Sequence, residues 1–342
     1  YLFPNLFISY LFISRFIYFL IYLFSNLFIS QFIYLQIVFQ ALLAGALMLC
    51  LVVLNPMKLD VSLYPEDPGS CSCIKCMAEE EDPWFIIRYD IQVPRLMSSR
   101  NSNLSAYTSK WWRGLQNRPR RVNYTALVET LFMLFPDEEP YSDSGPDRCR
   151  MCALVGNSGN LEGSHYGPLI DAHDFVIRMN TGPTKGYEKD VGSKTTHRAI
   201  YPESAVDMDN STHLVLVPFK VLDLQCISAN LAFKTVLCFF FCCLLLKVMI
   251  LHPEFIKYVY TKWLQKQGKY PSTGFLMLVF SLHICDQVNV FGFGARKDGS
   301  WHHYFDKRYG IFHNTPEHKG SVEFDIIEEL HLLNKIHLYK GN

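Results

Sequence analysis

The chain has 342 residues, enough for one large or two ordinary domains if a domain has about 150 residues. Its 32 lysine and arginine residues balance 32 aspartate and glutamate residues. A formal net charge of zero gives no basic excess for binding nucleic acid and no acidic excess typical of a solvating tail. The function must therefore be sought in local groups of residues.

Residues 1–57 form an apolar N-terminal region, in which Arg15 is the only charged residue before Lys58. Residues 37–54 are almost entirely apolar and approach the roughly 20 residues with which a helix crosses a bilayer. A removable signal peptide is the alternative, but its apolar stretch is only about 7–15 residues long and no clean small-residue cleavage site follows. We predict a single membrane anchor at about residues 37–54.

Short apolar repeats occupy residues 1–35, with LFIS starting at Leu6, Leu11 and Leu27. Repeats of this kind can arise when low-complexity DNA is mistranslated. We favour that artefactual origin for residues 1–35, and the alternative is a second spanning helix.

The region after the anchor contains clustered cysteines and acceptor triplets for N-glycosylation. The cysteine spacings C-x-C-x₂-C and C-x-x-C are typical either of zinc ligands or of a disulfide framework. These cysteines are Cys71, Cys73, Cys76, Cys149 and Cys152. The acceptor triplets begin at Asn103, Asn123 and Asn210.

Residues 149–202 have the pattern of a nucleotide-binding unit. Residues 153–155 are predicted to form a strand, the following GNSGN turn tolerates positive φ, and a helix is predicted from Leu161 onward. A second strand over residues 175–177 leads to Asn180, whose amide can bind a base or a ribose. Backbone amides in such a turn can bind phosphate, and an ordinary turn between strand and helix is the alternative.

Residues 149–202 resemble the large sialylmotif of the eukaryotic sialyltransferases, and three further blocks follow in the order of that family. The resemblance covers roughly residues 71–341 and is closest to the β-galactoside α-2,3-sialyltransferases that act on Galβ1-3GalNAc. The further blocks are residues 252–258, 270–274 and 281–286 for the small motif, residues 301–304 for the third motif, and His318 with Glu323 for the very small motif.

The resemblance implies an α/β fold, a Rossmann-like variant of the GT-A class with a mainly parallel central sheet flanked by helices. Strand patterns at Val248 and residues 287–291, an amphipathic helix over residues 322–333 and a closing strand at 336–339 agree with that class. We expect residues 58–105 to be a lumenal stem with the cysteine cluster and residues 106–342 to be the catalytic domain.

The family's activity is the transfer of sialic acid from CMP-sialic acid to the 3-hydroxyl of a terminal galactose, with inversion, a histidine base and no metal cofactor. Galactose-terminated glycoproteins or glycolipids are the implied acceptors. The implied location is the Golgi membrane, as a single-pass type II protein with a lumenal catalytic domain. No nucleic acid is expected as a partner.

The motifs also imply the roles of individual residues. His318 corresponds to the general base and His303 to a ligand of the CMP phosphate, and an imidazole pKa near 6.5 suits proton transfer in the secretory pathway. Gln116 follows two tryptophans in a stretch that borders the acceptor, whereas His283 is interpreted as structural. The remaining donor-binding candidates are Asn157, Ser158, Asn160, Asn180, Tyr270, Ser272, Thr273, Gly274, Gly294, Trp301 and His302.

The family's disulfide pairing transfers to three pairs in this sequence. They are Cys71 with Cys76, Cys73 with Cys149, and Cys152 with Cys285. The last bond would clamp the large motif to the small one, and all three imply an oxidising compartment.

Two segments do not follow the family pattern. Asp207 and Asp209 form the DxD pattern by which other glycosyltransferases hold Mn²⁺, but the pattern leads into an acceptor triplet and is interpreted as a polar loop. Residues 225–246 lack a tyrosine that the subfamily uses, and residues 236–246 are wholly apolar or cysteine. We favour a wrong exon boundary; a genuine variant would make the chain an inactive, lectin-like or regulatory homologue. A multi-pass membrane protein is a third interpretation, against which the polar motifs argue.

Overall fold

The computed structural model describes residues 36, 38–40, 42, 71–73, 76–77, 82–116, 122–137, 140–141, 143, 145–232, 247–306, 315 and 317–342. The chain divides into two compact units, residues 1–66 and 67–342. In the first unit the described residues 36, 38–40 and 42 are helical and exposed. The rest of the predicted anchor at 37–54 and the repeats at 1–35 lie outside the described residues. Among the residues described, no helix has both the length and the apolar character needed to cross a membrane.

The second unit is built on a parallel sheet of seven strands, in the order β5-β4-β3-β2-β1-β6-β7. The central strands are buried on both faces, as expected for a parallel sheet covered by helices, although β2 carries Arg178 and β3 carries His197 and Arg198. The mainly parallel sheet expected from the sequence is confirmed. The strands are β1 (Met151–Val155), β2 (Phe175–Met179), β3 (His197–Ile200), β4 (His213–Leu216), β5 (Val248–Ile250), β6 (Gln287–Phe291) and β7 (His337–Tyr339).

Helices pack on both faces of the sheet, and several begin at a side chain that accepts a hydrogen bond from the first turn. Asn123 Oδ1 accepts from Ala126 N at 3.3 Å and Ser272 Oγ accepts from Phe275 N at 3.1 Å. The helices are α1 (Pro83–Ile86), α2 (Ala106–Gly114), α3 (Tyr124–Leu134), α4 (Gly167–Asp171), α5 (Glu188–Val191), α6 (Val221–Ala232), α7 (Pro253–Tyr258), α8 (Thr273–Ile284) and α9 (Gly320–Leu332). A π-helical turn, Val259–Trp263, extends α7, and 3₁₀ turns occur at Gly159–Leu161 and Pro202–Ser204.

The centre of the fold is α8, which is apolar all round and buried against the sheet. His283 near its end is buried, with its ring nitrogens 2.8 Å from Val279 O and 3.1 Å from Asp90 O. His283 therefore has the structural environment that its apolar neighbours predicted.

The helix predicted from Leu161 onward does not form. A short 3₁₀ turn, Gly159–Leu161, is followed by irregular chain, and α4 begins only at Gly167. Gly163 and His165 have φ values of +72° and +57°, in the left-handed region that a right-handed helix cannot continue through.

The compact unit begins well before residue 106, where the catalytic domain was predicted to start. Phe85 is 1% exposed in the main core, and Leu96 forms an antiparallel bridge with Leu251. Met97 N donates to Ile250 O at 2.8 Å beside β5. The segment expected to be a stem therefore covers the β5 edge of the sheet.

Three disulfides join the pairs that the family resemblance implied. They are Cys71–Cys76, Cys73–Cys149 and Cys152–Cys285. Cys152 lies in β1 and Cys285 directly after α8, so the last bond ties a central strand to its covering helix. Within the described part of the chain, no group of three or more His, Cys, Asp or Glu residues could hold a metal ion.

The divergent segment is described only at its start. Residues 225–232 belong to α6, and residues 233–246, including the apolar run at 236–246, lie outside the described residues.

Candidate active site

A cavity of about 500 Å³ opens at the carboxyl ends of the strands. The loops that follow β1 and β6 form one wall of it. Strands β2 to β5 lie on one side of β1, whereas β6 and β7 lie on the other. The cavity is therefore at the topological switch point, where open α/β sheets bind ligands.

The loops after β1 and β6 touch backbone to backbone, which requires glycine. A Cβ atom on Gly156 would lie 2.2 Å from Gly292 O. Ser158 N donates to Gly292 O at 3.0 Å, and Ser158 Oγ donates to Gly294 O at 2.7 Å. The GNSGN turn and the second loop thus form one rigid wall.

Twelve of the residues predicted from the motifs line this cavity, although they are spread over more than 160 residues of sequence. They are Asn157, Ser158, Asn180, Tyr270, Ser272, Thr273, Gly274, Gly294, Trp301, His302, His303 and His318. The four motif blocks therefore converge on one site.

Two predicted ligands, Asn160 and Gln116, are not in the cavity wall. Asn160 is 3% exposed and its Nδ2 donates to Phe293 O at 2.8 Å. Gln116 is 9% exposed and its Oε1 accepts from Leu222 N at 3.2 Å, in the first turn of α6. In this structure both side chains hold neighbouring segments in place.

His318 is held in one tautomer by the backbone. Its Nδ1 donates to Tyr270 O at 3.1 Å, and a carbonyl oxygen can only accept. The neutral ring therefore keeps its lone pair on Nε2. Burial lowers the pKa of His318, partly opposed by the bond to Tyr270 and by the charge of Glu317. The ring can therefore act as a base below the pH at which a free imidazole becomes half protonated.

His303 belongs to the segment 301–304, which packs against the GNSGN turn. It forms an antiparallel bridge with Ser158, and Gly159 N donates to His302 O at 2.7 Å. Burial lowers the pKa of His303, while Asp306 opposes the shift. The neutral ring is placed beside the loop whose geometry suits a phosphate.

Glu323 joins the start of α8 to α9. Its carboxylate accepts from Ser272 N at 2.8 Å and from Ser272 Oγ at 2.5 Å. Burial raises the pKa of Glu323 to about 7, although these bonds favour its charged form. Glu323 thus orients the serine that begins α8 and lines the cavity.

Sequence reasoning missed a charged group on the opposite wall. Lys220 Nζ lies 2.9 Å from Glu203 Oε1, and Lys220 N donates to Asp223 Oδ2 at 2.9 Å. Burial raises the pKa of Asp223 to about 6. The missed lining residues, Tyr201, Glu203, Phe219, Lys220 and Asp223, follow β3 and β4. The rule that ligands bind at the carboxyl ends of parallel strands could have found them.

Asp209 of the DxD pattern is occupied within its own turn. Its Oδ1 accepts from Ser211 N at 2.8 Å and from Thr212 N at 3.0 Å. Neither Asp207 nor Asp209 is among the residues that line the cavity. This is the polar loop predicted from the sequence.

Residues 96–335 match the family described as Glycosyltransferase family 29 (sialyltransferase). The chain belongs to this family. The sialyltransferase is 43% identical over 282 residues to CMP-N-acetylneuraminate-beta-galactosamide-alpha-2,3-sialyltransferase 2 of Rattus norvegicus, covering 80% of this chain and 81% of the relative. It is 43% identical over 288 residues to CMP-N-acetylneuraminate-beta-galactosamide-alpha-2,3-sialyltransferase 1 of Sus scrofa, covering 81% of this chain and 83% of that relative.

Solved structures agree with these sequence relatives. A mammalian sialyltransferase superposes with a TM-score of 0.72 at 40% identity, covering 80% of this chain and 99% of the other. A mammalian sialyltransferase in complex with Gal-beta-1-3GalNAc-ortho-nitrophenol gives a TM-score of 0.71 at 40% identity, covering 80% of this chain and 100% of the other. The resemblance inferred from the motifs is confirmed, and the protein is a glycosyltransferase.

Proposed function

We propose that this sialyltransferase transfers sialic acid from CMP-sialic acid to the 3-hydroxyl of the terminal galactose of Galβ1-3GalNAc glycans. The observation that carries the proposal is His318, a half-buried histidine with Nε2 unprotonated in a cavity that gathers all four motifs. The names of the α-2,3-sialyltransferase relatives support the linkage. The Galβ1-3GalNAc derivative bound to a solved relative supports the acceptor, which glycoproteins or glycolipids would carry.

The proposed reaction is a single displacement with inversion. His318 Nε2 takes the proton of the galactose 3-hydroxyl while the oxygen of that hydroxyl forms a bond to the anomeric carbon of sialic acid. The bond from that carbon to the phosphate oxygen breaks, and CMP leaves with the electron pair. His303 binds the departing phosphate, whose negative charge would raise the pKa of its ring and strengthen that contact. The step needs no metal cofactor.

The sialyltransferase would act in the Golgi lumen as a single-pass type II membrane protein anchored by residues 37–54. Three disulfides and the exposed side chains of Asn103, Asn123 and Asn210 support an oxidising, glycosylating compartment. In sealed microsomes, added protease should leave the glycosylated domain intact. Digestion of that domain would contradict the orientation.

The function is tested by measuring sialyl transfer to Galβ1-3GalNAc. Three forms of the full chain are compared: wild type, His318→Ala and His337→Ala. The last is a control because His337 is exposed on β7, away from the cavity. We expect His318→Ala to lose roughly 10²–10⁴-fold in turnover while still binding CMP, and the control to stay near wild type. A wild type that binds CMP without transfer would instead favour the inactive homologue suggested by residues 225–246.

A further inference from the structure

Asn180 lies in a strained turn directly after β2 and lines the cavity. Its φ is +52°, in the left-handed region that few residues other than glycine adopt and in which asparagine is enriched. Its N–H donates to Ala199 O at 2.8 Å, which continues the pairing of β2 with β3. A conformation of this kind persists only when the surrounding structure holds it.

Ser204 holds the side chain of Asn180. Its Oγ accepts from Tyr201 N at 3.2 Å, and its hydroxyl proton can reach Asn180 Oδ1 at 2.8 Å or Tyr201 O at 3.0 Å, of which Asn180 Oδ1 is the nearer. Ser204 ends the 3₁₀ turn Pro202–Ser204 that follows β3, so the bond joins two neighbouring loops. With Oδ1 held by Ser204, Nδ2 is the atom of the amide that would donate to a ligand.

Arg198 holds the backbone of the same turn. It is 8% exposed in β3, and its Nη1 donates to Asn180 O at 2.7 Å and to Gly182 O at 3.3 Å. Both bonds come from Nη1, whose two N–H groups the planar guanidinium holds in fixed directions, whereas a lysine ammonium group rotates on a flexible stem. A Cβ atom on Gly182 would lie 2.6 Å from Asn157 Oδ1, so the turn also packs against a second predicted donor ligand.

We propose that Ser204 and Arg198 are positioning residues for the nucleotide donor, acting through Asn180. Neither is among the residues that line the cavity, so Ser204 would act on the donor through the amide of Asn180 and Arg198 through the backbone of its turn. The inference rests on the proposed function, because it takes CMP-sialic acid as the ligand. Loss of either residue should weaken the binding of CMP and leave the affinity for the acceptor unchanged.

The test is calorimetric titration of the full chain with CMP, together with the KM for acceptor. We expect Ser204→Ala to bind CMP about tenfold more weakly, as when one orienting hydrogen bond is lost, and Ser204→Thr to restore binding within about twofold. Ser193→Ala is the matched control, because Ser193 Oγ donates to Asp171 Oδ2 at 2.9 Å away from the cavity. Arg198→Lys should weaken CMP binding in the same direction.

A double-mutant cycle separates positioning from general destabilisation. In an Asn180→Ala background, Ser204→Ala should weaken CMP binding no further, because the amide that it orients is gone. If the two substitutions weaken CMP binding additively, or if Ser204→Ala binds CMP as tightly as wild type, this inference is overturned while the proposed function stands. A folded wild type that does not bind CMP would overturn the proposed function, and this inference with it.

Discussion

The disulfide between Cys152 and Cys285 joins residues 133 positions apart. Replacing both cysteines by alanine should lower the free energy of unfolding more than removing either of the other two disulfides in the same way. The bond between Cys71 and Cys76 is the natural comparison, because it spans only 5 positions. All four cysteines are buried, at 0%, 3%, 7% and 2% exposed in the order Cys152, Cys285, Cys71 and Cys76. The two double variants therefore differ chiefly in the length of the loop that is opened.

The expected magnitudes follow from the entropy of the unfolded chain. The loop-closure relation gives about 5 kcal/mol at 25 °C for the long loop and about 2 kcal/mol for the short one. The difference of about 3 kcal/mol corresponds to a melting temperature about 6–12 °C lower for a unit of this size. Because β1 pairs with β6 and both lead into the cavity, transfer activity should fail at the lower temperature as well.

The assay is thermal unfolding without reductant, followed by intrinsic fluorescence, on wild type, Cys152→Ala/Cys285→Ala and Cys71→Ala/Cys76→Ala. Residual transfer activity after heating provides a second readout. If opening the short loop lowered the melting temperature as much as opening the long one, the argument from loop length would be refuted.

Two further predictions concern the cavity itself. Burial lowers the pKa of His318, and a base works only when neutral, so kcat/KM should stay high above that pKa and fall about tenfold per pH unit below it. The midpoint of this fall in kcat/KM should therefore lie below pH 6.5. A midpoint at or above pH 6.5 in the pH-rate profile would refute the assignment of His318 as the base. Gly156→Ala should cost about 3 kcal/mol in the free energy of unfolding, because its Cβ would lie 2.2 Å from Gly292 O. Gly274→Ala, whose Cβ would lie 3.1 Å from the ring of Phe293, should cost under about 1 kcal/mol; equal losses on denaturant unfolding would contradict the steric argument.

The strands β1, β2 and β6 could be predicted because each is a short segment rich in apolar and β-branched residues. Residues 287–291 were predicted as a strand and form β6 with the same bounds. The GNSGN turn was placed correctly as well, and its glycines are required because Gly156 touches the backbone of Gly292 and Gly159 touches the ring of His302. The helix expected after it failed because nothing in the local sequence shows that His165 adopts a positive φ.

The directions of polar side chains were harder to predict than the elements that carry them. Asn160 and Asn157 belong to the same turn, yet only Asn157 lines the cavity. Asn160 instead donates to Phe293 O, a partner 133 residues away in sequence. Gln116 likewise accepts from Leu222 N, 106 residues away. Partners at such separations are set by tertiary packing, which sequence patterns do not encode residue by residue.

Asn123 shows how a modification site and a helix terminus can share one side chain. A glycan at this position would be attached through Nδ2, while Oδ1 of the same amide accepts from Ala126 N at 3.3 Å and caps α3. Replacing Asn123 to remove the sugar would therefore also remove the cap, which typically contributes about 1 kcal/mol. Thr125 completes the acceptor triplet and is exposed. Thr125→Ala abolishes the triplet while the capping amide stays, so it can separate the contribution of the carbohydrate from that of the helix start.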